Sequence, residues 1–311
     1  MRFIVTGATG YIGSYLCRFL KARGHEVIVF SRALPEAFVK SLQPEGFIEC
    51  DVTSEKLTQL KASADMIIHL ASANEVVSRN VRAGIEISAF GTKQLLDFAV
   101  RNGIARFMFF STLQVYGLEP VGTVSETTPV RPENDYALNH LFAEQYVAMY
   151  ARKGLLQGAV IRPANVYGRF FSPTVSRWTM VPACFCKEAL ESRTITIRSS
   201  GKQHRSFISM ENIARSCEAI IGRFPDEYGI YNAGSEHTLS ILDVAHKVQR
   251  IYHELYTGDA ELIVAGDAPQ KPNRFSVSTA KLAACGYVPD ESFTLEDAIR
   301  WLFEYLQSNG H

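Results

Sequence analysis

The chain reads as an α/β protein: a doubly wound parallel sheet with a smaller α/β region toward the C-terminus. Three observations carry this reading. Short apolar runs alternate with longer stretches of helical period through the first half, the rhythm of parallel strands covered by helices. Glycines crowd the first junction of strand and helix, in "TGATGYIG". After "RPANVYG" the rhythm breaks into a less regular region.

The strands are expected at "RFIVTG", "EVIVFS", "GFIECD", "DMIIHLA", "RFMFFST" and "GAVIRP". Between them, apolar residues recurring at three and four predict helices at about 11 to 22, 54 to 61, 80 to 102 and 135 to 153. Leu95, Leu96, Phe98 and Ala99 mark the apolar face of the third. Beyond residue 167, "SSGKQHR" reads as a turn and "SFISMENIARSCEAII" as a strand followed by a helix. The expected division is a dinucleotide-binding region at 1–167 and a mainly substrate-binding region at 168–311. The segment near 207–232 is expected to return to the first. No linker or low-complexity tract separates them, so the two should pack as one unit.

The 311 residues suffice for one large core or a main domain with a companion. Acidic and basic residues balance at 32 each without like-charge runs, which argues against a nucleic acid partner. Six cysteines without C-x-x-C spacing, most in apolar contexts, read as reduced thiols of a cytoplasmic protein. The chain enters an apolar strand at once and has no apolar run of about 20 residues, so neither signal peptide nor membrane span is expected. Histidines such as His69 and His246 lack metal-ligand spacing, and no metal site is expected. His69 is expected to pack as part of the fold.

Gly7, Gly10 and Gly13 follow the first strand and open a helix. A pyrophosphate needs free backbone N–H groups at a helix N-terminus with no Cβ in the way, and these glycines supply both. At the end of the second strand, an acidic side chain suits the ribose hydroxyls of NAD(H) and a basic one the 2′-phosphate of NADP(H). Here Ser31 and Arg32 stand there, so NADP(H) is favoured over NAD(H); Arg32 as an ordinary solvated charge is the competing reading. Asp51 ends the third strand, placed either for an adenine amino group or for a helix cap.

The motifs "TGATGYIG", "IIHLAS", "FFSTLQVYG", "DYALNH", "IRPANVYG", "RSFISMENIA" and "YNAGSEHTLSILDVA" occur in the order of a known family. Across nearly its whole length the chain resembles extended short-chain dehydrogenases/reductases that act on nucleotide sugars. The resemblance implies a Rossmann domain whose cofactor wall includes Tyr11, Ile12, Val52, Leu70 and Ala71 beside the residues above. It implies that Thr112 bonds the reacting oxygen, with Ser111 as a fallback, and that Tyr136 is the acid/base. It implies a nucleotide-diphosphate sugar as partner, met by Asn165 and Arg205 and by a second cation from Lys271 or Arg274. A homodimer built on the two long helices is implied as well.

The sequence departs from the family at several points. His140 stands where the family has a lysine that lowers the tyrosine pKa and bonds the nicotinamide ribose. Arg169 replaces a proline, and Ser88 replaces an asparagine. A neutral imidazole can bond hydroxyls but lowers a neighbouring pKa only when protonated. His140 is therefore a working substitute with activity skewed to lower pH, a proton relay, or the mark of weak catalysis. Within that family, Ser31 and Arg32 favour 4-keto reduction with NADPH. An NAD-dependent 4-epimerase is the first alternative, and a dinucleotide-binding protein with little catalysis is the second. Leu113 and Gln114, where dehydratases carry an acid pair, weigh against dehydration.

Overall fold

Seven parallel strands make the main sheet: β1 (Arg2–Thr6), β2 (Glu26–Ser31), β3 (Gly46–Glu49), β4 (Met66–His69), β5 (Arg106–Phe110), β6 (Gln157–Pro163) and β7 (Tyr228–Ala233). The computed structural model describes residues 1–171, 175, 178–266 and 273–309. The longer helices are α1 (Tyr11–Ala22), α2 (Glu36–Leu42), α3 (Gly91–Arg101), α4 (Asp135–Arg152), α5 (Ala183–Ser192), α6 (Met210–Gly222), α7 (Ile241–Leu255) and α8 (Leu295–Ser308).

The strand order is β7-β6-β5-β4-β1-β2-β3. The chain winds outward from β1 to β3, then crosses back to β4 and winds the other way. This leaves a crevice beyond the C-terminal ends of β1 and β4, where such sheets bind ligands.

Strand alternation sorts the core into two layers. Phe3 and Val5 of β1 pack with Leu16, Cys17 and Leu20 of α1 and Ile213, Cys217 and Ile220 of α6. Ile4, one residue between, faces Leu95, Leu96, Phe98 and Ala99 of α3 and Ala143 and Val147 of α4 on the opposite side. α6 and β7 thus complete the main sheet although they follow a long excursion.

That excursion and the C-terminal residues form a third core around Cys186, Ile195, Val244, Val248, Ile299 and Phe303. Beside it lies a small sheet in which His204–Ser209 runs parallel to Asn165–Tyr167 and antiparallel to Thr238–Ser240. The strand Phe275–Val277 pairs separately with Gly122–Val124.

Three local expectations are corrected. The segment 54–61 forms only a 3₁₀ turn, Glu55–Thr58, because it offers one fully buried anchor, Leu57, where an amphipathic helix needs a stripe. The segment 80–102 is not one α-helix: Val81–Ile85 passes into a π turn at Glu86–Phe90 before α3 begins. α2 was not expected, and Phe38 and Leu42 anchor it to the first core layer.

Candidate active site

A cleft of about 250 Å³ opens at the crevice. Gly7, Gly10, Tyr11, Ile12, Gly13, Leu70, Ser111, Thr112, Tyr136, His140, Asn165 and Arg205 all line it. So do Ser72, Glu75, Met180 and Phe275, which the sequence reading did not single out, and Leu113 and Gln114, which it weighed only against dehydration.

Each glycine of the loop has a separate steric reason. A Cβ on Gly7, whose φ is +65°, would lie 2.9 Å from the Ala71 nitrogen at the end of β4. One on Gly13 would lie 2.2 Å from the Gly7 carbonyl, so only glycine lets α1 start this close to β1. Gly10 is the N-cap of α1, gives no side-chain cap, and no acidic residue occupies the first turn. The positive end of the helix is left for an anion, and the cradle fits the pyrophosphate of a dinucleotide.

The wall behind the loop is made rigid by His69. Its ring is fully buried, with Nδ1 2.7 Å from Thr6 Oγ1 and Nε2 3.0 Å from Thr92 Oγ1. Thr92 donates its own proton to the Ser88 carbonyl, so it accepts from Nε2–H, and Nδ1 accepts from Thr6. Thr6 Oγ1 accepts in turn from the Leu70 and Ala71 amides at 3.2 Å. Burial holds His69 down to about 3, and it stays neutral. Ser88, at the family's asparagine position, accepts the Ala73 amide at 3.0 Å.

At the rim, Arg32 is exposed and its Nε lies 3.9 Å from Asp51 Oδ2. Asp51 Oδ1 accepts the Thr53 amide at 2.9 Å and the Thr53 hydroxyl at 2.8 Å, so half of its carboxylate closes a local turn. Val52 is buried, and a Cβ on Gly91 would come within 2.7 Å of its Cγ2. It packs under the start of α3 and does not line the cleft; neither do Ser31, Arg32, Asp51 or Ala71.

Thr112 is the N-cap of a 3₁₀ turn, Leu113–Tyr116, and its Oγ1 accepts the Gln114 amide at 3.2 Å. The hydroxyl proton is thereby left to point at a ligand. Ser111 is already engaged, donating to Glu144 Oε1. Glu144 and Arg162 are a buried ion pair, with Arg162 Nε 2.9 Å from Glu144 Oε1. Arg162 Nη1 donates to Tyr116 Oη at 2.6 Å, and Tyr116 to Asn232 at 2.8 Å. Burial pushes the Tyr116 hydroxyl up from its ordinary value. This network ties α4 to β6 and β7 beneath Tyr136.

Tyr136 and His140 lie one turn apart on α4, with ring centroids 4.3 Å apart. His140 is 1% exposed. Its Nδ1 lies 2.8 Å from the Tyr136 carbonyl and its Nε2 3.1 Å from Ser72 Oγ. Burial lowers it to about 4, with the Tyr136 carbonyl opposing the shift. Desolvation of the ring outweighs its one favourable contact, so at neutral pH His140 places no charge beside the tyrosine.

On the substrate side, Asn165 Nδ2 donates to the Ser206 carbonyl at 3.0 Å. Arg205 Nη1 donates to the carbonyls of Leu118 and His204 at 3.0 and 2.8 Å, and burial lowers its pKa. Arg274 is exposed and does not line the cleft, because Phe275 turns inward in its place. Lys271 lies outside the described residues.

The fold and this cleft define a dinucleotide-type α/β protein with a tyrosine and a hydroxyl set against the cofactor wall. Residues 3–234 match the NAD dependent epimerase/dehydratase family, and the chain belongs to it. It is 30% identical to a UDP-glucose 4-epimerase of Mycolicibacterium smegmatis over 87% of this chain and 85% of the other. To a dTDP-D-glucose 4,6-dehydratase of Mus musculus it is 25% identical, over 100% and 90% of the two chains. A crystal structure of a UDP-glucuronic acid 4-epimerase from Bacillus cereus, in complex with NAD, shares the fold with a TM-score of 0.84. There the identity is 24%, and both chains are covered in full. Among the described residues no helix is long and apolar enough to cross a membrane.

Proposed function

We propose that the protein is an NAD-dependent nucleotide-sugar 4-epimerase. The observation that carries the reading is that Thr112, Tyr136 and the glycine loop share one cleft with Asn165 and Arg205. A nicotinamide supplies hydride acceptance and return at the sugar carbon; everything else falls to the chain. Tyr136 Oη takes the proton of the sugar hydroxyl and later returns it. Thr112, held as acceptor by Gln114 N, donates its hydroxyl to the reacting oxygen. Asn165 and the Arg205 guanidinium hold the diphosphate. Leu113 and Gln114 supply no carboxylate for eliminating water, which favours epimerisation over dehydration.

The only charged side chains among the described residues lining the cleft are Glu75 and Arg205, which favours a neutral hexose over a uronic acid. UDP-glucose is the natural first substrate to try. Purified protein with UDP-glucose and no added cofactor should produce the C4 epimer, followed by NMR of the anomeric proton. Conversion that needs added NADPH and consumes it would overturn the epimerase reading.

A second reading, 4-keto reduction with NADP(H), is favoured by Ser31 and by Arg32, whose side chain is 80% exposed at the rim. Mass spectrometry of the dinucleotide released on denaturation separates the two. As partner we propose a second copy of this chain. Val81, Ile85 and Phe90 lie exposed ahead of α3, and Leu138 and Phe142 lie exposed on α4, which packs against that segment.

A further inference from the structure

We propose that Ser72, held in one orientation by His140, receives the ribose of the dinucleotide's redox half beside Tyr136. The inference rests on the cofactor reading above. Ser72 follows β4, which lies between β1, bearing the glycine loop, and β5, which leads to Thr112. It lines the cleft together with His140 and Tyr136.

The hydrogen-bond directions are forced. The Tyr136 carbonyl can only accept, so His140 Nδ1 carries the proton of the 2.8 Å bond. A neutral imidazole then has an unprotonated Nε2, which can only accept, so the Ser72 hydroxyl donates across the 3.1 Å bond. Packing keeps the ring from turning: it is 1% exposed, with the rings of Tyr136 and Phe109 at 4.3 and 6.0 Å.

A free serine hydroxyl donates or accepts as its ligand demands. Ser72 has lost that choice. Its proton is committed to His140, and only acceptor lone pairs remain for the cleft. It therefore selects a ligand hydroxyl that donates. In a nicotinamide dinucleotide the sugar next to the reacting ring offers such hydroxyls, and hydride transfer requires that ring to lie near Tyr136 and Thr112. A cation at position 140 would instead grip the same sugar as a donor. This chain thus reverses the polarity of the contact, with His140 as the positioning residue and Ser72 as the one that touches the cofactor.

The test is equilibrium binding of NAD(H), NADP(H) and ADP to the whole chain, first stripped of any retained dinucleotide, by titration calorimetry. Ser72→Ala should weaken the dinucleotide by about tenfold, the loss of one well-oriented hydrogen bond. Ser72→Thr should restore most of it. ADP, which lacks the redox half, should bind both variants as it binds wild type. His140→Ala should weaken the dinucleotide by less than Ser72→Ala does, because the freed hydroxyl can still accept. The double variant should lose no more than Ser72→Ala alone, because His140 acts through Ser72. Ser72→Ala lies on the cleft surface, so it stands as a test even if His140→Ala fails to fold. Wild type that binds dinucleotide while Ser72→Ala binds it equally well overturns the inference alone. So does an equal loss of ADP and dinucleotide. Wild type that binds no dinucleotide overturns the cofactor reading and the inference with it.

Discussion

A histidine one turn beyond a tyrosine brings a titrating charge to it only where the solvated cation is tolerated. At position 140 it is not, because the ring is buried and held to about 4. No inflection from His140 should therefore appear in a pH–rate profile between pH 6 and 8.5. Deprotonation of Tyr136 gets no help from a neighbouring imidazolium. His140→Lys should raise turnover at pH 8 by about tenfold, the effect of one unit on a tyrosine pKa. Tyr136→Phe should remove turnover, and an unchanged rate in that variant would show that Tyr136 is not the acid/base. The tyrosine and histidine were plain from "DYALNH". Ser72 was not, since nothing in "HLASANE" distinguishes a serine facing a cleft from one on a loop.

At the scale of the elements, the glycine loop and the helix it opens stand on contact distances. Gly13→Val puts carbon where the Gly7 carbonyl lies and should abolish dinucleotide binding in calorimetry, with a lower melting temperature. α4 depends on a buried charge pair. Glu144→Gln leaves Arg162 charged and poorly matched under 2% exposure, and should cost about 3–5 kcal/mol in denaturant unfolding. A midpoint unchanged from wild type would show that the pair holds nothing. A charged residue in the apolar strand "GAVIRP" was a visible sign that Arg162 needs a partner. Its partner across the fold was not visible, nor was the π turn at Glu86–Phe90, because helical periodicity continues on both sides of it.

For the whole molecule, two buried neutral imidazoles set an acid limit. Unfolded, His69 and His140 bind protons below about pH 6.5; folded, they resist until about 3 and 4. Both folded values are depressed, so stability is complete above 6.5. It falls as pH drops toward 4, by about 1.4 kcal/mol per pH unit for each ring. Melting temperatures at pH 7 and pH 5 should differ by several degrees, and by less in His140→Gln. If the apolar residues on α4 and ahead of α3 meet a second copy, Phe142→Glu should move the protein to the monomer position in sedimentation.

Patterning along the chain was enough for the α/β class, the first six strands, the glycine loop and the family. Those depend on local period and on short-range steric needs. Tertiary structure decided which of these residues share a cleft and that Val52 and Arg274 lie outside it. It also decided the charge of His140, because protonation depends on burial and on partners distant in sequence.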